Sequence, residues 1–131
     1  AETIVLGREA MGENICDCEL IDNWRVFRDG CLFHAESLRL SDEVHKIISA
    51  PAGGNGARLI STILYVGHQV EQVADRVAGL VNPIPSSCAW SCWDDRLVIR
   101  LVSSHSASAR KYIERLLLAI RQQPLPRVWQ T

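Results

Sequence analysis

Lysine is scarce in this chain: only Lys46 and Lys111 stand against twelve arginines, and the formal net charge is -1. There is therefore no basic excess of the kind that nucleic-acid binders gather on one face. Long hydrophobic runs are missing as well. No apolar stretch approaches the roughly 20 residues of a membrane-spanning helix, and no signal-peptide pattern opens the chain. The usual signatures of catalysis are absent: no G-x-S-x-G, no H-E-x-x-H, and no cysteine with a histidine at a recognised local spacing. The glycine-rich stretch Ala50-Pro51-Ala52-Gly53-Gly54-Asn55-Gly56 lacks the lysine and Ser/Thr of a phosphate loop, so it reads as a connection. Disulfide scaffolding is also unsupported, because the cysteines number five and have no small-scaffold spacing. A reducing cytoplasm is the simplest fit. The first residue is Ala1, which leaves open a processed product or a part of something longer.

What is present suffices for a core. The 131 residues are 47% hydrophobic, which predicts a single domain spanning 1–131. Arginine in excess of lysine suits polar contacts in which a planar, always-charged donor meets carboxylates.

The segment Gly7-Arg8-Glu9-Ala10-Met11-Gly12-Glu13 punctuates the beginning. Two glycines bracket an arginine and a carboxylate, between the strand-like Thr3–Leu6 and a second strand-like run. Each glycine is a candidate for positive φ, and Arg8 and Glu13 would lie at a sheet rim. Glu13 to Leu20 alternates, which predicts a strand with Cys16, Cys18 and Leu20 on one face. Two such thiols could contribute to a metal site. They read better as small buried hydrophobes, since no further ligands can be named.

Trp24–Arg28, Asp29-Gly30 and Cys31–Glu36 predict a hairpin with a type I′ turn. Pairing Arg28 with Cys31 would put Val26 opposite Phe33 and Trp24 opposite Ala35. His34 and Glu36 would then share the other face and need polar partners there. Ser41 to Ile48 predicts a short strand, and Ala57 to Val66 a central one. Val70, Val73, Ala74, Val77, Leu80 and Val81 recur at helical spacing and stop before Asn82-Pro83. Cys88–Trp93 and Arg96–Val102 predict a second hairpin around Asp94-Asp95, with Cys88 and Cys92 on one strand face. Ala109, Tyr112, Ile113, Leu116, Leu117 and Ile120 form the apolar face of a last helix, for which Ser103, Ser104, Ser106 and Ser108 offer caps. Pro124 ends it. The tail Leu125-Pro126-Arg127-Val128-Trp129 is stiff and apolar, so Trp129 should dock while Arg127 reaches a carboxylate.

Taken in order, Gly7-Arg8-x-Ala10-x-Gly12-Glu13, Trp24, Arg28-Asp29-Gly30, Glu36, Arg96-Leu97-Val98-Ile99-Arg100 and Leu125-Pro126-Arg127-Val128-Trp129 resemble the C-terminal half of the UreD (UreH) family of urease accessory proteins. The resemblance runs over essentially the whole chain. It implies a mainly β fold, with coiled or layered, β-helix-like sheets of mixed strands and two α-helices towards the C-terminal end. It implies a non-catalytic scaffold for nickel insertion into urease, with nickel in transit and no permanently bound cofactor. The implied partners are a UreF-type accessory protein, a UreG-type GTPase and apo-urease; a homodimer is left open. Gly7, Arg8, Gly12, Glu13 and Glu36 are the functional positions it marks, with Arg127 and Trp129 in a docking tail. No cysteine is assigned as a nickel ligand. The rival class is a small cysteine- or metal-dependent hydrolase using Cys16/Cys18 or Cys88/Cys92 with His34 or His105.

Overall fold

Alternating apolar residues build a four-stranded sheet. In this computed structural model, which describes residues 1–7, 12, 18–81 and 87–129, the chain groups into two compact units. The first comprises Ala1–Leu6 with Gly56–Thr131; the second is Gly7–Asn55.

In the first unit, β1 (Glu2–Val5), β4 (Leu59–Val66), β5 (Ser87–Trp93) and β6 (Arg96–Ser103) form an antiparallel sheet of order β1-β4-β6-β5. The predicted hairpin around Asp94-Asp95 is formed, with Trp93 paired to Arg96 and both aspartates at positive φ (43° and 59°). A two-residue loop with that geometry matches the right-handed twist of the strands it joins. Leu97, Ile99 and Leu101 project from one face of β6, and Leu59 and Ile63 from β4 join them in the core.

Two helices supply the rest of that core. Helix α2 (Val70–Val81) contributes Val70, Val73, Ala74 and Val77; α3 (Ser106–Arg121) contributes Ala109, Tyr112, Ile113, Leu116 and Leu117. Both match the predicted spacing, and they are the only long helices among the described residues. Valine has stiff χ1 and modest helix propensity, so α2 is held by its packing. Arg76 also ties the pair together, donating from Nε to the Ala119 carbonyl at 3.0 Å. The predicted serine caps on α3 are not used. His105 is the N-cap residue and its side chain makes no capping bond. The nearby serines bond locally instead: Ser103 Oγ accepts from the His105 N–H at 3.1 Å, and Ser108 Oγ donates to the His105 carbonyl at 3.0 Å. At the far end Gln122 adopts φ 52° and donates its N–H to the Leu118 carbonyl at 2.8 Å. Beyond Pro124 the tail closes in a single 3-10 turn, Arg127–Trp129.

The second unit holds a two-stranded antiparallel ribbon, β2 (Leu20–Arg28) with β3 (Cys31–Leu40), followed by a short helix α1 (Val44–Ser49). The hairpin turn is as expected, with Asp29 and Gly30 at φ 52° and 78°. Its register is not. Arg28 faces Cys31 and Phe27 faces Leu32, but the register then shifts, so that Val26 opposes His34 and Trp24 opposes Glu36. Phe33 is the extra residue of a β-bulge. Helix α1 also replaces the strand expected over 41–48. Asp42 at φ 61° turns the chain out of the strand, and the Lys46 and Ile47 N–H groups then bond to the Glu43 carbonyl. Val44, Ile47 and Ile48 fit the three-and-four spacing of a helix as well as they fit a strand; local turn chemistry decided the outcome.

Candidate functional site

The bulge decides which side chains the ribbon turns inward. With one residue absorbed at Phe33, Leu20, Asp22, Trp24 and Val26 share a face with Leu40, Leu38, Glu36 and His34. These are buried or half-buried, whereas Ile21, Asn23, Arg25, Ala35, Ser37 and Arg39 on the opposite face are exposed. Two polar groups therefore sit among apolar ones on the inward face. They meet each other: His34 Nε2 lies 3.6 Å from Glu36 Oε2, with side chains only 6% and 19% exposed. At that separation the contact is electrostatic rather than a hydrogen bond. His34 Nε2 itself makes no hydrogen bond among the described residues, so the carboxylate offsets only part of the cost of burying the imidazole. The sequence correctly placed both residues on one face; it placed the wrong strand residues opposite them.

At the ribbon tip the Arg28 guanidinium stacks over the Phe33 ring, 4.1 Å from its centroid. Beside it the cross-strand pair Phe27 and Leu32 is 61% and 54% exposed. Sequence reasoning did not single out this apolar tip; the extra residue before His34, once recognised as a bulge, is the signal that would have turned the pair outward. Along the opposite end Arg39 and Glu19 form an exposed ion pair at 3.0 Å, where such a pair contributes little stability.

Of the glycine segment, Gly7 and Gly12 have positive φ, 82° and 70°, as expected of turns. A Cβ built on Gly12 would touch nothing within 4 Å, so only its backbone conformation demands glycine. Arg8 and Glu13 lie outside the described residues, as does Cys16. Cys18 is exposed and precedes the strand, contrary to the expectation of a buried thiol. The strand begins only at Leu20, so nothing forces Cys18 inward. Cys18, Cys31, Cys88 and Cys92 are all free thiols.

The thiols of the first unit belong to its interior. Cys88 and Cys92 are half-buried against the core, and Cys88 hydrogen-bonds with the Tyr112 hydroxyl, which donates to the Leu80 carbonyl at 3.3 Å. Burial pushes the Cys88 thiol above its ordinary value of 9.0 and raises Tyr112 as well. A reactive cysteine needs the opposite shift, towards thiolate. The arrangement is that of packing, not of a primed nucleophile. Among the described residues no group of three or more His, Cys, Asp or Glu side chains gathers where a metal could be held. No described helix is long and apolar enough to cross a membrane. In the tail, Leu125 is buried and Trp129 packs against the core, while Arg127 and Val128 are exposed.

Fold and surface together define a β-rich α+β protein with one well-packed sheet-and-helix unit and a ribbon whose tip presents apolar side chains to solvent. Its sequence places it more narrowly: the chain belongs to the UreD urease accessory protein family, whose model matches residues 1–130. It is 39% identical over 133 residues to urease accessory protein UreD 3 of Methylorubrum extorquens (strain PA1), covering 100% of this chain and 45% of that relative. UreD of Methylobacterium sp. (strain 4-46) is 37% identical over 137 residues, covering 99% of this chain and 48% of the relative. UreD of Rhizobium leguminosarum bv. trifolii (strain WSM2304) is 39% identical over 129 residues, covering 98% and 46%. The chain thus spans about half the length of the curated relatives it matches.

Proposed function

We propose that this chain works in urease maturation as a non-catalytic scaffold, within the accessory complex that delivers nickel to apo-urease in the cytoplasm. The observation that carries the reading is the family match, which extends without interruption over residues 1–130. The thiol chemistry supports it, because burial holds the Cys88 thiol protonated rather than activated. Nickel is cargo here, passed on rather than kept as a resident cofactor. The partners proposed are a UreF-type accessory protein, a UreG-type GTPase and apo-urease.

Gly7, Arg8, Gly12, Glu13 and Glu36 are proposed to serve the complex, and Arg127 and Trp129 to lie in a segment that docks. Glu13 gives the sharpest residue-level test. Glu13→Ala, at an expected rim position, should leave stability within about 0.5 kcal/mol and yet depress urease activation. A variant that activates urease normally, or one that melts far lower, contradicts that role. The reading as a whole is tested by deleting the gene in a nickel-replete host and measuring urease activity. Activity should fall and return on complementation, and urease with the other accessory proteins should accompany the tagged protein in a pull-down. Undiminished urease activity in the deletion strain would sink the proposal.

A further inference from the structure

The two edges of the main sheet are protected very differently. Edge strand β1 is short, four residues, and carries Glu2. Edge strand β5 is seven residues, Ser-Cys-Ala-Trp-Ser-Cys-Trp, with no charge, no proline and no lysine. Sheet edges are normally blunted by just those devices, because an unpaired row of N–H and C=O groups is a template for another strand. Only β6 pairs with β5 among the described residues. Trp90 and Trp93 along it are 37% and 42% exposed.

The central five residues of the strand, Cys88–Cys92, are also nearly symmetrical about Trp90. Stepping outward, Ala89 matches Ser91 in size and Cys88 matches Cys92 in kind. We infer that β5 is a self-association edge, on which a second copy of this chain pairs antiparallel about a two-fold axis through Trp90. Trp90 then faces its own copy, Ala89 faces Ser91, and Cys88 of one copy faces Cys92 of the other. The two sheets continue as one of eight strands, a closed and isologous arrangement. No charge opposes its twin anywhere along the seam, and the near-neutral chain brings little repulsion of its own. A second copy fits better than an unrelated strand because the symmetry lies in the sequence of the edge itself. One strand pair with two tryptophans a side buries a modest area, so the dimer is concentration-dependent rather than obligate. This inference stands independently of the role in urease maturation.

The thiols give a test with a distinctive product. Within one chain Cys88 and Cys92 are four strand residues apart, about 13 Å. Across the proposed seam they are about 5 Å apart. A bifunctional thiol alkylator matched to the shorter spacing can therefore join Cys88 to Cys92 only between copies. Sedimentation across a concentration series should show reversible dimerisation, and peptide mapping of the alkylated dimer should recover the Cys88–Cys92 link. The double substitution Ala89→Lys/Ser91→Lys sets like charges directly opposite each other at two exposed positions. It should weaken dimerisation at least tenfold and abolish the link while leaving the melting temperature in place. A chain that stays monomeric at every concentration overturns the proposal, as does a link mapping to Cys18 or Cys31. So does a full-length form in which a strand of its own covers the edge and holds the protein monomeric.

Discussion

The four-stranded unit and the ribbon solve the problem of burying apolar surface in opposite ways. The first sends the aliphatic residues of β4, β6, α2 and α3 into one continuous cluster, with Val77, Leu97, Ala109 and Leu116 completely inaccessible. The ribbon does the reverse at its tip, leaving Phe27 and Leu32 in solvent, and spends part of its inward face on a histidine and a glutamate. A two-stranded ribbon by itself is marginally stable in water. The difference teaches where stability and adaptability sit. The sheet-and-helix unit holds the continuous buried core, and the ribbon tip keeps its apolar side chains in solvent.

The sharpest way to break that contrast is a pair of truncations. Leu116→Ala empties a fully enclosed site and should destabilise by roughly 3–4 kcal/mol. Phe27→Ala, though it removes a larger side chain, should change stability by no more than about 0.5 kcal/mol, because the ring is already hydrated. Denaturant melts of the two variants settle the matter; equal losses would erase the distinction.

Removing the tail asks how far the packed unit extends. Truncation after Gln123 strips the buried Leu125 and the core contact of Trp129, and should cost on the order of 3 kcal/mol. Coincident thermal midpoints for the full and shortened chains would make the tail an ornament of the fold. Gly12→Ala tests the second unit with a smaller perturbation. The φ of 70° penalises any side chain, and open space around the Cβ position means that nothing else does, so a loss of about 1 kcal/mol is expected by chemical denaturation.

The gentlest probe is pH. Cys88 and Tyr112 both have folded-state values raised above their ordinary 9.0 and 10.0 by burial. Below pH 9 both are protonated in the folded and unfolded chains alike, and the full stability is present. As pH rises past 9 the unfolded chain releases these protons more readily than the folded one, so stability must fall. Thermal midpoints should therefore slope downward from pH 9 to 10.5, and Cys88→Ala should flatten the first part of the slope. A midpoint that rises over this range would contradict the buried, hydrogen-bonded thiol.

Much of the packed unit was legible beforehand because its signals are strong and local. The spacing Val70–Val73–Ala74–Val77 and the face Ala109–Tyr112–Ile113–Leu116 have one solution each. Asp-Asp between two strand-like runs could only be a tight hairpin loop if both residues accept positive φ, and they do. Around 41–48 the pattern was ambiguous between periods of two and three to four, and a single left-handed aspartate resolved it in a way that spacing does not display. The ribbon register failed for a subtler reason. A turn fixes pairing only as far as the first bulge, and no residue type announces one. Of the candidate site, the glycines and the companionship of His34 and Glu36 were readable, whereas the uncharged β5 edge becomes apparent only once the order β1-β4-β6-β5 is known.

That bulge has an evolutionary consequence. Because the ribbon's pairing is offset by one residue at Phe33, the stretch 31–33 holds one residue more than a regular ladder needs, while the stretch 34–40 has none to spare. A one-residue deletion in 31–33 would remove the bulge and still leave Val26 opposite His34, whereas losing Ala35 would turn Ser37 and Arg39 inward and bring Glu36, Leu38 and Leu40 out to solvent. The connection through Gly53, Asn55 and Gly56 carries no such constraint on strand pairing. Insertions and deletions among related chains should therefore accumulate around 50–56 and spare 34–40. Where one does strike the ribbon tip, the loss of a single residue should erase the bulge alone, preserving the face on which the histidine meets the glutamate.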